Sequence, residues 1–549
     1  MAESDSKQDR PVNRRWIWAG GLALLVVAAG MRFVDLDAAD PWEDEVYTYI
    51  GSGDLIPRHL AWEGHRANLH SPLMYVEVKI FRRILGDNIV AARTPAALYG
   101  TAAVLLLYML IGTSVSWSTA LACGLALAVH PFAVEWGREA RMYSHWLTFS
   151  TIATALTLNA VAYASRPDGS PFNWRWWALG FVFMYLYALV IFSVTTIAAI
   201  AIGLGVMALA ALPRRRRAAL VILAGSALSG VVYLHSWALT GIGRMLLRMS
   251  HPGAEHETSA LDEKLRAAVK GMFDVMGGYL PSWAMILFWF LAVAGLVILV
   301  TRGHWRLVML LALIGGMTWI TFPSIAERHF YTPRYLFVML LPLCVGFGAA
   351  ISLPWLLTRS APVIAARIGS CVVVLGVVML WGASLGSVMF EPRIAFHAAL
   401  APLHEHAQTD DVLIMVPEWY IELNEYYDFA DRAEPVLAPA DALYYTSTED
   451  ELHRSYADDF ETRFDPAGDR PRPPGAWVLL VEPEKPFRQA TPVQRVAQLL
   501  SAYGRNADKE IEKLAQAARG AATLTFRVSA EGIEHLTATH PRRVGPNRR

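Results

Sequence analysis

The sequence opens its apolar part with WIWAGGLALLVVAAGMRFV (residues 16–34) and continues, after a short gap, with WEDEVY (residues 42–47). The first stretch is apolar enough to cross a bilayer, which takes about 20 such residues. The second stretch brings two adjacent carboxylates, Asp44 and Glu45, close to the membrane. Because carboxylates near a membrane segment are costly to desolvate, they usually mark function. The two stretches together predict a membrane protein with chemistry in its first loop.

The composition fits this prediction, because 54% of the 549 residues are hydrophobic and only 17% are charged. Soluble proteins carry roughly 25% charged residues. Basic and acidic residues both number 48, so the net charge indicates no partner. No basic run alternates with aromatic residues, so we expect no nucleic-acid partner. The three cysteines form no CxxC pair, which disfavours a zinc site or a disulfide framework.

Apolar segments of bilayer-spanning length recur along the chain. They predict a polytopic α-helical membrane protein with about eleven transmembrane helices, counted at about 20 residues each. The stretch 176–212 is too long for one helix and is divided in two. The predicted spans are 16–34, 91–112, 117–134, 145–164, 176–191, 194–212, 218–239, 283–301, 307–323, 335–357 and 368–390.

Basic residues indicate the orientation of these spans. They precede the first span and fill alternate short loops, most clearly the run Arg214–Arg217. The positive-inside rule makes that side cytoplasmic. We therefore expect a basic cytoplasmic tail at 1–15 and an extracytoplasmic first loop at 35–90, which is long enough for its own basic residues to count less. A cleaved signal peptide is an alternative for the first segment, but its apolar character continues through Val34 and favours an uncleaved anchor.

The composition changes after residue 390. Short apolar runs at 412–416 and 477–481 are typical of buried strands. Residues 491–518 have the spacing of an amphipathic helix, and a strand pair follows at 522–538. We therefore predict a transmembrane domain over 16–390 and a small extracytoplasmic α/β domain over 391–549.

Three outer loops hold the candidate functional residues, each with a simpler interpretation. In the first loop, Asp44 could serve only as a carboxylate at a helix N-terminus, and an amphipathic helix is predicted at 72–85. In the second, around 131–144, two arginines and two glutamates could simply pair and cap helix ends. In the third, Arg334 could extend to the membrane interface. The sharper hypothesis for the arginines is phosphate binding, since the guanidinium fork matches phosphate oxygens.

The ordered set of motifs resembles the GT-C superfamily of integral-membrane glycosyltransferases, and most closely the protein O-mannosyltransferase and aminoarabinose-transferase type. The resemblance covers about residues 16–360 and rests on four motifs. The motifs are Asp44-Glu45, His70-Ser71-Pro72-Leu73, Glu139-Ala140-Arg141-Met142-Tyr143 and Arg334-Tyr335. In the second motif, relatives often have a second proline where this chain has Ser71.

The resemblance implies a polyprenyl-phosphate sugar donor, contact with membrane lipid, and a protein, lipid or glycan acceptor. It also implies an integral protein of the plasma membrane, in bacteria the inner membrane, with its active site and C-terminal domain on the extracytoplasmic side. It implies direct displacement that inverts the anomeric centre, and it leaves a divalent metal ion open. The implied roles are catalysis by Asp44, as base, and Glu45; donor-phosphate binding by Arg141, Arg334 and Tyr335; and substrate binding by His70, Glu139, Tyr143 and Tyr47.

Three other functions stay open on the sequence. Another lipid-linked transferase, such as an oligosaccharide ligase or a phosphoethanolamine-type enzyme, is disfavoured by the acidic pair in the first loop. A transporter or flippase for lipid-linked sugars would carry charges at mid-helix and broken helices in pairs. An assembly protein whose outer domain binds partners would tolerate conservative substitution of Asp44. The C-terminal domain is a candidate for selecting the acceptor, because we place it on the catalytic side.

Overall fold

The computed structural model of the chain describes most of the membrane part and the centre of the C-terminal part. His70 and the predicted span 176–191 lie outside the described residues. The described residues are 14–39, 41–53, 72–164, 193–213, 215–239, 280–329, 333–355, 361–390, 396–406, 412–416, 443–444, 475–481, 499–501, 503, 505–519, 521, 523–529 and 532–539.

The membrane part is helical, and its long helices are apolar over most of their circumference, as helices in lipid or in a packed core are. Two short 3₁₀ segments, Pro333–Met339 and Leu353–Trp355, flank one of them. The helices are α1 (Arg14–Phe33), α2 (Glu43–Gly53), α3 (Pro72–Leu85), α4 (Ile89–Ser114), α5 (Trp117–Val129), α6 (Pro131–Gly137), α7 (Tyr143–Ala164), α8 (Ser193–Ala211), α9 (Arg216–Leu239), α10 (Ser282–Thr301), α11 (Trp305–His329), α12 (Leu340–Ser352) and α13 (Ala361–Phe390).

The sequence explains where these helices begin and end. After α3, Gly86 takes a positive φ of 101°, the left-handed conformation that commonly terminates helices. Asn88 then caps α4, because its side chain accepts a hydrogen bond from the N–H of Ala91 at 2.9 Å and satisfies one of the unpaired donors of the first turn. The helix predicted at 72–85 is present as α3.

Every predicted span within the described residues coincides with a helix or with consecutive helical segments. Judged by length and composition, five described helices can cross a membrane, or six if the bent pair α5 and α6 counts as one span. The chain is therefore an integral membrane protein of mostly helical structure, while the total of about eleven spans, at about 20 residues each, stays a prediction.

The prediction of one continuous span at 117–134 is wrong, because the helix breaks at His130. α5 and α6 meet at 60°. Pro131 cannot donate a backbone hydrogen bond to the preceding turn, and it disfavours helical geometry in the residue before it. His130 accordingly has extended backbone with ψ 118°, and its Nδ1 accepts from the N–H of Phe132 at 3.2 Å.

Arg32, which the sequence analysis did not single out, donates hydrogen bonds to backbone carbonyls at this break. It is fully buried and donates to the carbonyl oxygens of Ala128 at 3.2 Å and Leu127 at 3.4 Å. These carbonyls belong to the last turn of α5, where helical partners are missing. The side chain passes close to two glycines, since a Cβ on Gly100 or Gly137 would lie 2.6 or 3.0 Å from the Nε of Arg32.

Small residues allow α10 and α12 to touch along their backbones. A Cβ placed on Gly295 would overlap the carbonyl oxygen of Gly346, and one placed on Gly346 would overlap that of Ala292. Close backbone approach at small residues is the usual way in which helices pack in lipid, where burial of apolar surface gives little driving force.

The C-terminal part contains a five-stranded mixed sheet in the order β2-β1-β3-β4-β5. β1 pairs in parallel with β2 and β3, while β3, β4 and β5 are antiparallel. β4 is buried along its whole length. The elements are α14 (Phe396–His406), β1 (Val412–Val416), β2 (Leu443–Tyr444), β3 (Gly475–Val481), α15 (Ala507–Ala517), β4 (Thr523–Ser529) and β5 (Gly532–Thr539).

Strands β1, β3, β4 and β5 lie where the sequence predicts strands, whereas β2 was not predicted. The single helix predicted at 491–518 is wrong. A helical turn at 499–501 is separated from α15 by non-helical residues. Asn506 starts α15 afresh, because its side chain accepts from the N–H of Lys509 at 3.2 Å. Asparagine favours this N-terminal capping position. The helical spacing of apolar residues in the sequence therefore continues past a point at which the helix itself is interrupted.

The internal contacts divide the chain into two units. The first comprises Met1–Leu36, Gly51–Met389 and Val544–Arg549, and the second comprises Asp37–Ile50 and Phe390–Arg543. The predicted division into 16–390 and 391–549 stays a prediction. The acidic pair of the first loop thus clusters with the C-terminal part of the sequence.

We expect Gly346→Ala to lower the melting temperature, although alanine favours helix by up to about 1 kcal/mol over glycine. The added methyl group would push α12 off the backbone of α10 at Ala292, and overpacking of this kind costs about 1–3 kcal/mol. Thermal unfolding of the purified protein, followed by intrinsic fluorescence, measures the change.

Gly369→Ala on α13 is the matched control, because nothing lies within 4 Å of the added Cβ. Its melting temperature should equal or exceed that of the wild type. Equal behaviour of the two variants would contradict the close packing of α10 on α12.

Candidate active site

The second loop, predicted as an outer loop around 131–144, is the centre of the candidate site. All residues from His130 to Thr148 are buried within the first unit. Glu139 is 7% exposed, Arg141 is 2% exposed and Tyr143 is 1% exposed. Burying a carboxylate and a guanidinium costs free energy unless they are bonded, so their presence at this depth needs a function in folding or in binding.

Arg138 has a function in folding. Its guanidinium donates to the carbonyl oxygens of Val34 at 2.7 Å and Asp35 at 2.5 Å, where α1 has ended. It also donates to the carbonyl oxygen of Met389 at 3.1 Å, in the last turn of α13. Carbonyls at helix C-termini lack helical partners and favour a cation. The simpler interpretation of the loop, capping of helix ends, therefore holds for Arg138.

Arg141 lies in the tight turn between α6 and α7. Its backbone N–H donates to the carbonyl oxygen of Glu139 at 2.6 Å, and α7 starts two residues later. The turn fixes the backbone of Glu139, Arg141 and Tyr143 within one compact, buried segment. The three residues, which are close in the sequence, therefore also lie close together in space, at the N-terminus of the long helix α7.

Aromatic contacts join this turn to the third loop. The ring of Trp136 lies edge-on to Tyr143, with centroids 4.8 Å apart at 72°. The guanidinium carbon of Arg334 lies 5.8 Å from the centre of the Trp136 ring and 5.4 Å from that of Tyr335, within the range of cation–π attraction. The structure therefore links Tyr143 through Trp136 to Arg334 and Tyr335, while Glu139 and Arg141 lie in the turn just before Tyr143.

A partly buried polar cluster beside this turn was missed by the sequence analysis. Glu77 on α3 accepts a hydrogen bond from the hydroxyl group of Tyr99 at 2.8 Å. The other carboxylate oxygen of Glu77 lies 2.6 Å from Nε2 of His145, and the rings of His145 and Tyr99 are 4.0 Å apart. A titratable residue inside a predicted span, such as His145, was the available signal.

The acidic pair of the first loop occupies the first turn of α2, which starts at Glu43. Glu45 is 1% exposed. Its backbone N–H donates to the carbonyl oxygen of Trp42 at 2.8 Å. This position at a helix N-terminus agrees with the simpler interpretation of these carboxylates and leaves their catalytic role a prediction. The side chains of Asp44 and Tyr47, like His70, lie outside the described residues.

The far end of α2 contacts α3. Arg82 donates to the hydroxyl oxygen of Ser52 at 2.7 Å and is also paired with Asp87. A Cβ on Gly51 would lie 3.1 Å from the ring of Tyr75. The same α3 therefore carries Glu77 to the polar cluster and contacts the last turn of α2.

No group of three or more His, Cys, Asp or Glu side chains that could hold a metal ion occurs among the described residues. His70, a candidate, is not among them. The question of a divalent ion therefore stays open.

Comparisons with known proteins extend this picture. Residues 69–233, which include α3 to α8 and most of α9, match the family model described as dolichyl-phosphate-mannose-protein mannosyltransferase. No curated protein matches the chain by sequence.

Solved structures match most of the chain. The apo form of the Archaeoglobus fulgidus oligosaccharyltransferase matches with a TM-score of 0.50 and 12% identity, over 96% of this chain and 75% of that chain. AglB from the same organism, in complex with an inhibitory peptide and a dolichol-phosphate, matches with a TM-score of 0.49 and 12% identity, over 98% and 76%. Apo ArnT from Cupriavidus metallidurans matches with a TM-score of 0.47 and 15% identity, over 87% and 95%.

At these identities a structural match informs about the fold alone, and the family match adds the type of enzyme. The family match and the shared fold together support the recognition of this chain as a membrane glycosyltransferase of the GT-C superfamily, as its sequence predicts.

Proposed function

We propose that this protein transfers a sugar from a polyprenyl-phosphate donor to a hydroxyl or amine of a protein, lipid or glycan acceptor on the extracytoplasmic side of the membrane. The observation that carries the proposal is the burial of Arg141, at 2% exposure, in a turn inside the family-matched stretch 69–233. A guanidinium cannot lose its charge to escape the cost of burial, and a phosphate has the charge and the oxygen geometry that suit it.

The proposed chemistry follows from the leaving group. As the bond between the anomeric carbon and the phosphate oxygen breaks, negative charge grows on the lipid phosphate. Arg141 and Arg334, with Tyr335, stabilise that charge in a site that excludes water, where fixed charges act more strongly than in bulk solvent. Glu139 and Tyr143 contribute to substrate binding from the same turn.

The acceptor requires a base, and Asp44 takes this role in the proposal, with Glu45, Tyr47 and His70 orienting the acceptor or a divalent ion. Asp44 accepts the proton of the acceptor as the new glycosidic bond forms at the anomeric carbon. Attack opposite the departing phosphate inverts the anomeric configuration. These roles rest on the resemblance of the motifs.

The distribution of buried charge favours this function over transport. Among the described residues of the first unit, buried charged side chains such as Arg32, Arg93 and Arg138 lie at or near helix ends. A transporter is expected to place such groups at mid-helix, along a path through the bilayer. Chemistry at one membrane surface fits the observed positions better.

We expect Asp44→Asn to abolish sugar transfer and to leave donor binding intact, because the amide keeps the size of the side chain but cannot accept the proton. The purified protein in lipid, supplied with a labelled mixture of polyprenyl-phosphate sugars, measures turnover, and the product identifies the sugar. If the variant turned over as fast as the wild type, the base would be a residue other than Asp44. Absence of turnover from wild type and variant alike, with every donor, would count against the transferase itself.

We expect Arg141→Lys to lower kcat/KM for the lipid donor by about 10²-fold, the usual loss when one stabilising donor of a transition state is removed. Lysine keeps the charge but loses the two-pronged geometry. Arg216→Lys is the matched control, since Arg216 is exposed at the start of α9, and it should behave as the wild type. Equal kcat/KM for the Arg141→Lys variant and the control would contradict the role of Arg141 in phosphate binding.

A further inference from the structure

We propose that Glu77 and His145 are positioning residues that hold the phosphate-binding turn against the amphipathic helix α3. The inference rests on the proposed function, since the turn in question carries Arg141. It assigns a role to the partly buried cluster of Glu77, Tyr99 and His145, which the motifs of the sequence did not include.

The first argument is where the cluster sits. His145 lies in the first turn of α7, four residues after Arg141 and two after Tyr143. Its partner Glu77 lies on α3, and Tyr99 lies on α4. A movement of His145 therefore moves the N-terminal end of α7, and the turn that carries Arg141 moves with it.

The second argument is how completely Glu77 is held. One carboxylate oxygen accepts from Tyr99 at 2.8 Å and the other lies 2.6 Å from Nε2 of His145. Thr148, one turn further along α7, donates to the backbone carbonyl of Tyr99 at 2.6 Å. Three helices are thereby fixed to one another by hydrogen bonds of good length, and hydrogen-bond networks of this kind specify one arrangement of their elements.

The third argument is the protonation pattern that the geometry favours. An ionised Glu77 can only accept, so Nε2 of His145 must carry the proton that it donates. Nδ1 of His145 is buried and has no hydrogen-bond partner among the described residues. The tautomer with the proton on Nε2 leaves no buried N–H group unpaired there, so the ring is specifically suited to Glu77.

The fourth argument is what the contact between Glu77 and His145 does for α3. The side chain of Glu77 on α3 reaches His145 on α7, the helix of the phosphate-binding turn. His145 is buried, and a buried polar contact seldom gains net stability over apolar packing. Its use here is therefore best explained by position.

The experiment measures the Kd for undecaprenyl phosphate, a polyprenyl phosphate without sugar, with the full-length protein in lipid nanodiscs. His145→Leu removes the donor and should raise the Kd by about tenfold, as loss of a charge-assisted hydrogen bond does. His145→Gln should bind within about threefold of the wild type, because its amide nitrogen can take the place of Nε2. Glu77→Gln, an isosteric change in a side chain that is 18% exposed, should weaken binding as well.

Arg82→Gln is the matched control on α3, because it removes the contacts to Asp87 and Ser52 but leaves Glu77 in place. Its Kd should equal that of the wild type. The melting temperature is measured for every variant, so that a general loss of stability can be distinguished from a local effect on binding. Combining Glu77→Gln with His145→Leu should weaken binding no further than His145→Leu does, since residues of one network are not additive.

Wild-type affinity of both His145→Leu and Glu77→Gln would overturn the positioning role. So would equal weakening by Arg82→Gln, or failure of His145→Gln to restore binding, because each would indicate a general effect on stability. Failure of the wild type itself to bind undecaprenyl phosphate would instead count against the proposed function.

Discussion

A bilayer offers no hydrogen-bond partners to the ends of a broken helix, and the break between α5 and α6 is the constraint on which the surrounding structure depends. Backbone groups left unpaired at such a break are costly unless other parts of the protein bond to them. Arg32 supplies donors to the carbonyls of Leu127 and Ala128, and His130 accepts from the N–H of Phe132. The close approach of Gly100 and Gly137 to Arg32 follows from the same need, since side chains there would displace the guanidinium.

Similar arginines in the sequence therefore have different tasks in the structure. Arg138 donates to backbone carbonyls after α1 and in the last turn of α13, so its donors serve to fasten helix ends. Arg141, three residues later, lies in a tight turn two residues before Tyr143, where α7 begins. Arg334 approaches the same turn through its contact with Trp136. Only the last two combine a position at the turn with the motifs that resemble glycosyltransferases, which narrows the proposed phosphate site to them.

Patterns among neighbouring residues predicted most of the helices and strands. Features that depend on tertiary contacts could not be predicted from those patterns. The strand at 412–416 follows from a continuous apolar run and the helix at 72–85 from apolar periodicity, and both signals depend only on nearby residues. The break at His130 was hidden by a segment that is apolar on both sides of it. Arg138 and Arg141 could not be told apart by spacing, because their difference lies in carbonyls of distant helices. His145 was overlooked inside an apolar span, and its importance appears only when Glu77 is placed beside it.

The costs of these arrangements argue for a function at the turn. A continuous helix over 117–134 would satisfy its own backbone, and an apolar residue in place of His145 would spare the desolvation of a buried polar pair. The chain instead breaks the helix, buries Arg32 to repair the break, and holds the next helix with Glu77. In the proposal, each step holds the short segment from Glu139 to Tyr143 in place at the end of a membrane helix. Rigid placement of a permanent charge is what stabilising a departing phosphate requires, because a preorganised charge needs no reorientation as the bond breaks.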